Sequence, residues 1–389
     1  MSEFRYVGKI SSSKSLYNRA LTVKSYFPDL ELKGWSDCED VLHMKEALNH
    51  LSSQSVIDCG EGGTVFRFIA LRASRIAGEH LIKGSDRLLS RPQAGLMDLL
   101  KQLGVKAEMT SHGLKIQSEG WKFDSEKCLV IDRSQSSQFA SGLLLNAWEL
   151  EKELKFKFNE FNLSESYWDL TCDFVKSMGM KLQEVNGVYT IPPEQKIEKD
   201  DFEVEADVSS IFSFAAAAAL AGTLEVTNWP EKTTQPDRNF LKAFEQMGIT
   251  YEQKGHNLKV YKTSEIKGID FDISQCPDLF PILSLVCGYA EGNSLLYGAP
   301  HLLGKESNRV KKTCELLNKL GILAIEKEDG LYIEGNGSVH LLKSFEYDSD
   351  LDHRMAMAAG IAQVLGHDIR VINPQVVSKS CPEFWSIIS

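Results

Sequence analysis

Residues 209–222, SSIFSFAAAAALAG, begin with two serines and continue as an apolar run of small and aromatic side chains. A run without a polar face predicts a helix that is buried all round, and its alanines allow neighbouring helices to pack closely. The next residues, TLEVTNW from Thr223, have the composition and alternation of a β-strand. This order of helix and strand indicates the architecture of the whole chain, because it recurs along it.

Six segments share this plan of a polar start, an apolar small-residue run and a short strand. Successive starts are 50, 73, 73, 69 and 74 residues apart, and such spacing indicates internal repeats. The six begin at Ser13 (SKSLYNRALTV), Gly63 (GTVFRFIALRA), Ser136 (SSQFASGLLLNA), Ser209, Asp278 (DLFPILSLVCGYAEG) and Asp352 (DHRMAMAAGIAQVLG).

A second, amphipathic helix is predicted in each repeat, and hairpin-like strand pairs follow, as in residues 249–261 and 322–335. The first repeat lacks the hairpin. Six near-equal units without polar caps are too few for a solenoid. We therefore predict an α/β fold of two domains, each with three helix–strand–helix–strand-pair units. The amphipathic helices usually end at a glycine suited to a left-handed C-terminus: Gly104, Gly179, Gly248 and Gly321.

Composition excludes several classes of function. The 389 residues carry a net charge of −11 and are 43% hydrophobic, as in ordinary globular proteins. We expect no nucleic-acid partner, because such binding needs a basic surface. No apolar run reaches the roughly 18 residues of a membrane span, and the N-terminus lacks the apolar core of a signal peptide. Eight cysteines without a Cys-x-x-Cys pair predict reduced thiols, a cytoplasmic location and no zinc site.

Several of the helix starts carry groups that bind anions. A helix N-terminus presents unpaired N–H groups and a positive dipole end. Buried arginines at equivalent repeat positions are costly unless they meet an anion or an acid. We infer a ligand with at least two anionic groups, although each residue alone also fits a capping or surface role. The candidates are Lys14, Arg19, Arg67 and Arg354 among the cations and Ser136, Ser137 and Gln138 among the neutral groups.

Further cations lie near other helix starts. Lys305 and Arg309, in KESNR, are four residues apart, which predicts that they share one helical face. Arg91 precedes Pro92, and Lys379 lies near the C-terminus.

Two carboxylates stand among these cations. Asp278 opens an apolar helix directly after Pro277, and Glu306 lies between Lys305 and Arg309. Asp278 would serve as a helix cap and Glu306 as an ion-pair partner in a purely structural interpretation. In a cationic site poor in water, the two would instead share proton transfer as base and acid.

Seven motifs in order resemble those of the 5-enolpyruvylshikimate-3-phosphate (EPSP) synthase family. They are SKSLYNRA from Ser13, GGTVFR from Gly62, RLLSRP from Arg87, SSQF from Ser136, KESNR from Lys305, DHRMAM from Asp352 and SKSCPEF from Ser378. The resemblance implies a two-domain, inside-out α/β barrel with a ligand-binding cleft. One domain would span residues 13–205 and the other residues 1–12 plus 206–389.

The implied activity is that of a 3-phosphoshikimate 1-carboxyvinyltransferase in aromatic amino acid biosynthesis. The enolpyruvyl group of phosphoenolpyruvate moves to the 5-hydroxyl of shikimate 3-phosphate, and phosphate is released. The implied partners are these two small molecules, without a metal or organic cofactor, and we expect a monomer.

Site residues follow from the matching motif positions. Shikimate 3-phosphate would be contacted by Lys14, Ser15, Arg19, Ser136, Ser137, Gln138 and Ser164. Phosphoenolpyruvate would be bound by Lys14, Gly63, Arg91, Gln138, Arg309, Arg354 and Lys379, and Lys305 completes the substrate-binding set. Asp278 would take the proton from the 5-hydroxyl, and Glu306, with Lys14, would protonate the methylene carbon.

Three alternatives remain open. The related transferase that acts on UDP-N-acetylglucosamine usually carries a reactive cysteine before its Arg-Pro, whereas residues 79–92 contain none. A non-catalytic ligand-binding relative is the second alternative; Glu61, where the family usually has Asn, favours it by opposing an anionic ligand. The third is an enolpyruvyl transferase with a different phosphorylated acceptor.

Overall fold

The computed structural model describes residues 3–134, 136–159, 165–298, 300–337 and 344–389, without the side chain of His301. The chain divides into a continuous unit, Lys14–Val204, and a discontinuous unit, Met1–Ser13 with Glu205–Ser389. Each unit has its own hydrophobic core. Helices and strands alternate in both, so the predicted mixed α/β class is confirmed.

The α-helices of the described residues include all six predicted apolar segments. The helices in chain order are α1 (Lys14–Lys24), α2 (Glu39–Asn49), α3 (Gly63–Ala73), α4 (Asp86–Ser90), α5 (Ala94–Gln102), α6 (Gln138–Leu145), α7 (Glu165–Ser177), α8 (Val208–Ala221), α9 (Phe240–Met247), α10 (Phe280–Gly288), α11 (Arg309–Lys319), α12 (His353–Val364) and α13 (Phe384–Ile388).

The strands follow the helices in the predicted alternation. They are β1 (Phe4–Gly8), β2 (Glu31–Lys33), β3 (Gln54–Asp58), β4 (Gly78–Lys83), β5 (Lys106–Thr110), β6 (Gly113–Ser118), β7 (Cys128–Ile131), β8 (Leu154–Phe158), β9 (Gln183–Val185), β10 (Val188–Ile191), β11 (Asp201–Glu203), β12 (Gly222–Val226), β13 (Tyr251–Lys254), β14 (Asn257–Tyr261), β15 (Asp270–Asp272), β16 (Glu291–Tyr297), β17 (Leu323–Lys327), β18 (Gly330–Asn336), β19 (Phe345–Asp348) and β20 (Ile369–Ile372).

Four sheets share one order, in which a parallel strand pair is extended by an antiparallel hairpin. The orders are β3-β4-β6-β5 and β7-β8-β10-β9 in the continuous unit, and β1-β12-β14-β13 and β15-β16-β18-β17 in the discontinuous unit. The N-terminal strand β1 joins the discontinuous unit because it pairs in parallel with β12, with Tyr6 opposite Leu224.

Each unit also contains a two-stranded parallel sheet, β2 with β11 or β19 with β20. A strand pair was predicted for every repeat except the first. Within the described residues, the last repeat also lacks this pair. There the chain continues from β20 into a 3₁₀ turn, Pro374–Lys379, and α13.

The apolar helices form the centre of each core. Helices α1, α3 and α6 contact one another in the continuous unit, as do α8, α10 and α12 in the discontinuous unit. The alanines at 215–219 on α8 are fully buried, as the sequence predicts.

The four glycines predicted to end the amphipathic helices have positive φ angles, 74° at Gly104 and 77° at Gly321 among them, which confirms the helix ends.

Two predicted helix starts are wrong in detail. Asp278 lies in a 3₁₀ turn, Pro277–Leu279, and α10 begins only at Phe280. Lys305 lies before α11, so it does not share a helical face with Arg309, the first residue of that helix. The reason is Asn308, whose Oδ1 accepts a 3.0 Å hydrogen bond from the Lys311 N–H and caps the helix.

Candidate functional site

The N-terminal ends of the three central helices lie near one another in the continuous unit. Lys14, the first residue of α1, forms a 3.0 Å ion pair with Asp40 on α2. A Cβ added at Gly62, just before α3, would lie 3.0 Å from the same carboxylate. Lys14 is therefore held beside the start of α3, where backbone N–H groups also attract anions.

Arg19 is fully enclosed in the continuous unit, with 3% of its surface exposed. Its guanidinium donates hydrogen bonds to Thr171 Oγ1 at 2.8 Å, the Ser15 carbonyl at 2.8 Å and the Tyr167 carbonyl at 3.2 Å. Burial lowers the pKa of Arg19 to about 10. A buried cation held by neutral oxygens has charge left for an anionic ligand.

A second cluster joins the starts of α3 and α6. Arg67 Nη1 donates to Gln138 Oε1 at 2.6 Å and, more weakly, to Ser136 Oγ at 3.4 Å. Arg91 approaches closely as well, because a Cβ added at Gly63 would lie 3.2 Å from Arg91 Nη1. Glycine at this position thus keeps the arginine next to the helix N-terminus.

The two serines before α6 have different environments. Ser136 Oγ accepts a 3.2 Å hydrogen bond from the N–H of Gln138, the first residue of α6. Ser137 is buried and directly precedes the helix. Ser164, the remaining predicted phosphate ligand, lies outside the described residues.

Arg309 is the centre of the cluster in the discontinuous unit. Only 2% of its side chain is exposed. It donates to Asp278 Oδ1 at 2.7 Å, Glu306 Oε2 at 3.0 Å and Asp352 Oδ2 at 2.9 Å. Burial alone would lower the pKa of this guanidinium, but the three carboxylates raise it well above the usual value. One arginine thus connects both carboxylates that the sequence suggested for proton transfer.

Asp278 is bound by a second arginine. Arg354 Nη2, in the first turn of α12, lies 3.6 Å from Asp278 Oδ2. Burial alone would raise the pKa of Asp278, but Arg354, Arg309 and Lys305 together hold it well below its usual range. Asp278 is therefore a carboxylate at neutral pH.

Glu306 connects the cluster to the C-terminal region. Its Oε1 forms a 3.2 Å ion pair with Lys379 Nζ, and only 5% of the Lys379 side chain is exposed. The structure thus brings together Asp278, Glu306, Arg309, Arg354 and Lys379. Lys305 is linked to them electrostatically through Asp278.

The sequence-based set omitted Asp352. Its carboxylate is fully buried, accepts from Arg309 Nε and caps α12 through a 3.0 Å bond from the Arg354 N–H. A signal was present, because a buried arginine demands an acid and DHRMAM supplies one. Asp40, which pairs with Lys14, was also outside that set. Arg67, which donates to Gln138, was predicted as a helix-start cation but was not assigned to either substrate.

Both clusters are suited to small, multiply charged anions. Guanidinium groups grip carboxylate and phosphate through paired hydrogen bonds, and helix N-termini add further positive potential. In the discontinuous unit the cations lie beside two carboxylates that can exchange protons.

A model of the family described as EPSP synthase (3-phosphoshikimate 1-carboxyvinyltransferase) matches residues 29–388. The chain belongs to the EPSP synthase family. A relative named 3-phosphoshikimate 1-carboxyvinyltransferase, from Thermococcus kodakarensis, is 32% identical, and the alignment covers 95% of this chain and 94% of the relative. The family resemblance inferred from the seven motifs is thereby confirmed.

Solved structures show the same fold at lower sequence identity. EPSP synthase from Acinetobacter baumannii aligns over 99% of this chain and 95% of that chain, with a TM-score of 0.75 at 21% identity. The enolpyruvyl transferase NikO from Streptomyces tendae aligns over 100% and 94%, with a TM-score of 0.72 at 13% identity. Within the described part of this family member, no helix is both long and apolar enough to span a membrane.

Proposed function

We propose that this chain transfers the enolpyruvyl group of phosphoenolpyruvate to the 5-hydroxyl of shikimate 3-phosphate, releasing phosphate. Membership of the EPSP synthase family supports this reaction. The observation that carries it is the bridge made by Arg309 between Asp278 and Glu306, at 2.7 and 3.0 Å. It combines an anion-binding cation with two carboxylates capable of proton transfer.

Phosphoenolpyruvate is assigned to the most strongly cationic groups. In the discontinuous unit these are Arg309, Arg354, Lys379 and Lys305. In the continuous unit, the family motifs assign the cations Lys14 and Arg91 to the same ligand, together with the neutral Gln138 and the N-terminal end of α3 at Gly63. Paired donors on arginine suit the carboxylate and phosphate of this ligand.

Shikimate 3-phosphate is assigned to the continuous unit. Arg19, with Lys14 and Ser15 at the start of α1, provides the charge. The α6 N-terminus provides hydroxyl and amide groups through Ser136, Ser137 and Gln138, and Ser164 is assigned by its motif. The position of Arg19 among neutral oxygens supports this role, because a phosphate would supply the missing counter-charge.

The chemistry divides between the two carboxyl groups. Asp278 accepts the proton of the 5-hydroxyl, whose oxygen attacks phosphoenolpyruvate. Glu306, with Lys14, supplies a proton to the methylene carbon. The resulting tetrahedral intermediate loses phosphate and one proton of the new methyl group, which restores the enol double bond.

Substrate binding would activate Asp278. Its pKa is low because Arg309 and Arg354 pair with it, and a strongly paired carboxylate is a weak base. An incoming anion would share these guanidinium groups. The pKa of Asp278 would then rise towards the range in which it can accept a proton.

The arrangement of each unit also supports an inside-out α/β barrel. Three apolar helices contact one another in the core, and sheets built on one strand order pack around them. We propose this architecture for both units.

The eight cysteines are free thiols, which supports a reducing compartment.

The proposal is tested by mixing the purified protein with both substrates and measuring phosphate release. Asp278→Asn keeps the shape of the side chain but removes its basicity, so we expect turnover to fall by about 100-fold or more. Asp270→Asn makes the same change on an exposed position of β15 and should leave turnover unchanged. Full activity of Asp278→Asn would remove Asp278 from the role of base.

Replacing the acceptor tests specificity. UDP-N-acetylglucosamine in place of shikimate 3-phosphate should yield no phosphate. Phosphate release with that acceptor alone would contradict the proposed substrate. Binding of both proposed ligands without turnover would instead support the non-catalytic alternative.

A further inference from the structure

The entry segment, residues 10–13, lies between β1 and α1 and ends directly before Lys14. Its three serines, Ser11, Ser12 and Ser13, are buried although each carries a hydroxyl group. Buried polar groups are costly unless they are hydrogen-bonded. The partners of the entry segment therefore show what holds the chain in place where it reaches Lys14.

The backbone of the entry segment is fixed by two sets of contacts. The Asn228 side chain accepts from the Ile10 N–H at 3.0 Å and donates to the Ile10 carbonyl at 2.9 Å. Residues 205–207 pair with the segment in antiparallel direction and exchange two backbone hydrogen bonds with it, of 2.7 and 2.9 Å. All of these contacts join uncharged groups.

The side chain of Ser11 has a charged partner. Its hydroxyl donates to Glu383 Oε1 at 2.6 Å, and its N–H reaches the same oxygen at 3.4 Å. Within the described residues, this carboxylate takes part in no ion pair. A hydrogen bond to a charged acceptor is about twice as strong as one between neutral groups. Glu383 thus provides the strong side-chain contact of the entry segment.

Glu383 follows Lys379, a cation of the candidate site, by four residues. The chain between them is held by a 2.8 Å hydrogen bond from the Cys381 N–H to the Val377 carbonyl. Phe384, the next residue after Glu383, is fully buried. A firmly packed stretch of chain therefore joins the two charged residues.

We propose that Glu383 is a positioning residue for Lys14. By binding Ser11, it ties the segment that ends at Lys14 to the segment that carries Lys379. Both lysines are assigned to phosphoenolpyruvate, and small displacements of groups that bind one ligand together are costly. The proposal rests on these assignments in the proposed function. It adds a residue that acts on the affinity for phosphoenolpyruvate through Lys14.

The test compares wild type with Glu383→Ala, Ser11→Ala and the double variant. KM and kcat are measured for both substrates, and the Kd of phosphoenolpyruvate is measured by calorimetry with shikimate 3-phosphate present. We expect KM and Kd for phosphoenolpyruvate to rise by about tenfold in each single variant. The double variant should show no further rise, because both substitutions remove the same hydrogen bond.

Two controls separate positioning from stability. Glu252→Ala, at an exposed position of β13 in the same unit, should behave as wild type. Glu383→Gln keeps an oxygen that can accept from Ser11, so its KM for phosphoenolpyruvate should stay within about threefold of wild type. A purely structural role would reduce the amount of folded enzyme, which lowers the apparent kcat and leaves KM unchanged.

A wild-type KM for phosphoenolpyruvate in Glu383→Ala would overturn the proposal, as would single effects that multiply in the double variant. If Glu383→Ala fails to fold, an unchanged KM in Ser11→Ala would overturn it instead. A raised Kd in the single variants, without phosphate release by wild type, would support Glu383 and refute the proposed activity. A wild type that does not bind phosphoenolpyruvate would overturn both.

Discussion

At the scale of single residues, the buried arginines differ in what balances their charge. Arg309 is surrounded by three carboxylates, whereas Arg19 is held by a hydroxyl and two carbonyl groups. Both were predicted as cations near helix starts. The partners that set them apart, Thr171 and Tyr167 for Arg19 and Asp278 and Asp352 for Arg309, come from elements distant in sequence, which a local pattern does not specify.

Arg19→Lys tests this difference. Lysine keeps the charge but loses the planar donors that reach Thr171, Ser15 and Tyr167. We expect the KM for shikimate 3-phosphate to rise by about 10- to 100-fold, with a smaller change in the KM for phosphoenolpyruvate.

Arg72→Lys provides the control, because Arg72 lies at the end of α3 and donates to Ser25. Equal effects of the two substitutions on the KM for shikimate 3-phosphate would contradict a specific role for Arg19.

At the scale of elements, all six apolar segments form the predicted central helices. Hydrophobic pattern decides this, because a segment without a polar face can be accommodated only in a core. The exact starts were less predictable. Pro277 is the first residue of a 3₁₀ turn rather than of the α-helix itself, and Asn308 caps α11 three residues after Lys305.

The close packing around α8 predicts a cost for larger side chains. Ala217 is fully buried, so Ala217→Leu would force neighbouring side chains or backbone apart. We expect the free energy of unfolding to fall by about 1–3 kcal/mol, measured by chemical denaturation. Ala94→Leu, at an exposed position at the start of α5, should change it by less than about 0.5 kcal/mol. Equal costs at both positions would argue against close packing around α8.

At the scale of the whole molecule, two acids make stability depend on pH in opposite directions. Burial and the neighbouring charge of Asp278 raise the pKa of Asp237 to about 7, so the folded chain keeps a proton that an ordinary aspartate releases near 3.8. Stability from this group therefore falls as pH rises through that interval. Asp278, with its lowered pKa, contributes stability above about pH 4 that is lost as pH falls.

Thermal unfolding of Asp237→Asn and wild type between pH 5 and 8 tests the first effect. We expect wild type to lose stability relative to the variant as pH rises towards 7. Only wild type releases the Asp237 proton when it unfolds, and a higher pH favours that release. Asp270→Asn should follow wild type. Parallel curves for wild type and Asp237→Asn would contradict the raised pKa of Asp237.

The α/β class, the six apolar helices and the family could be predicted from the sequence alone, because periodicity and ordered motifs are properties of the chain. The sequence also marked most candidate residues, since anion-binding groups gather at helix starts. Only the tertiary structure placed Asp352 against Arg309. The two lie 43 positions apart, and a buried charge is balanced by whatever group the fold brings near it.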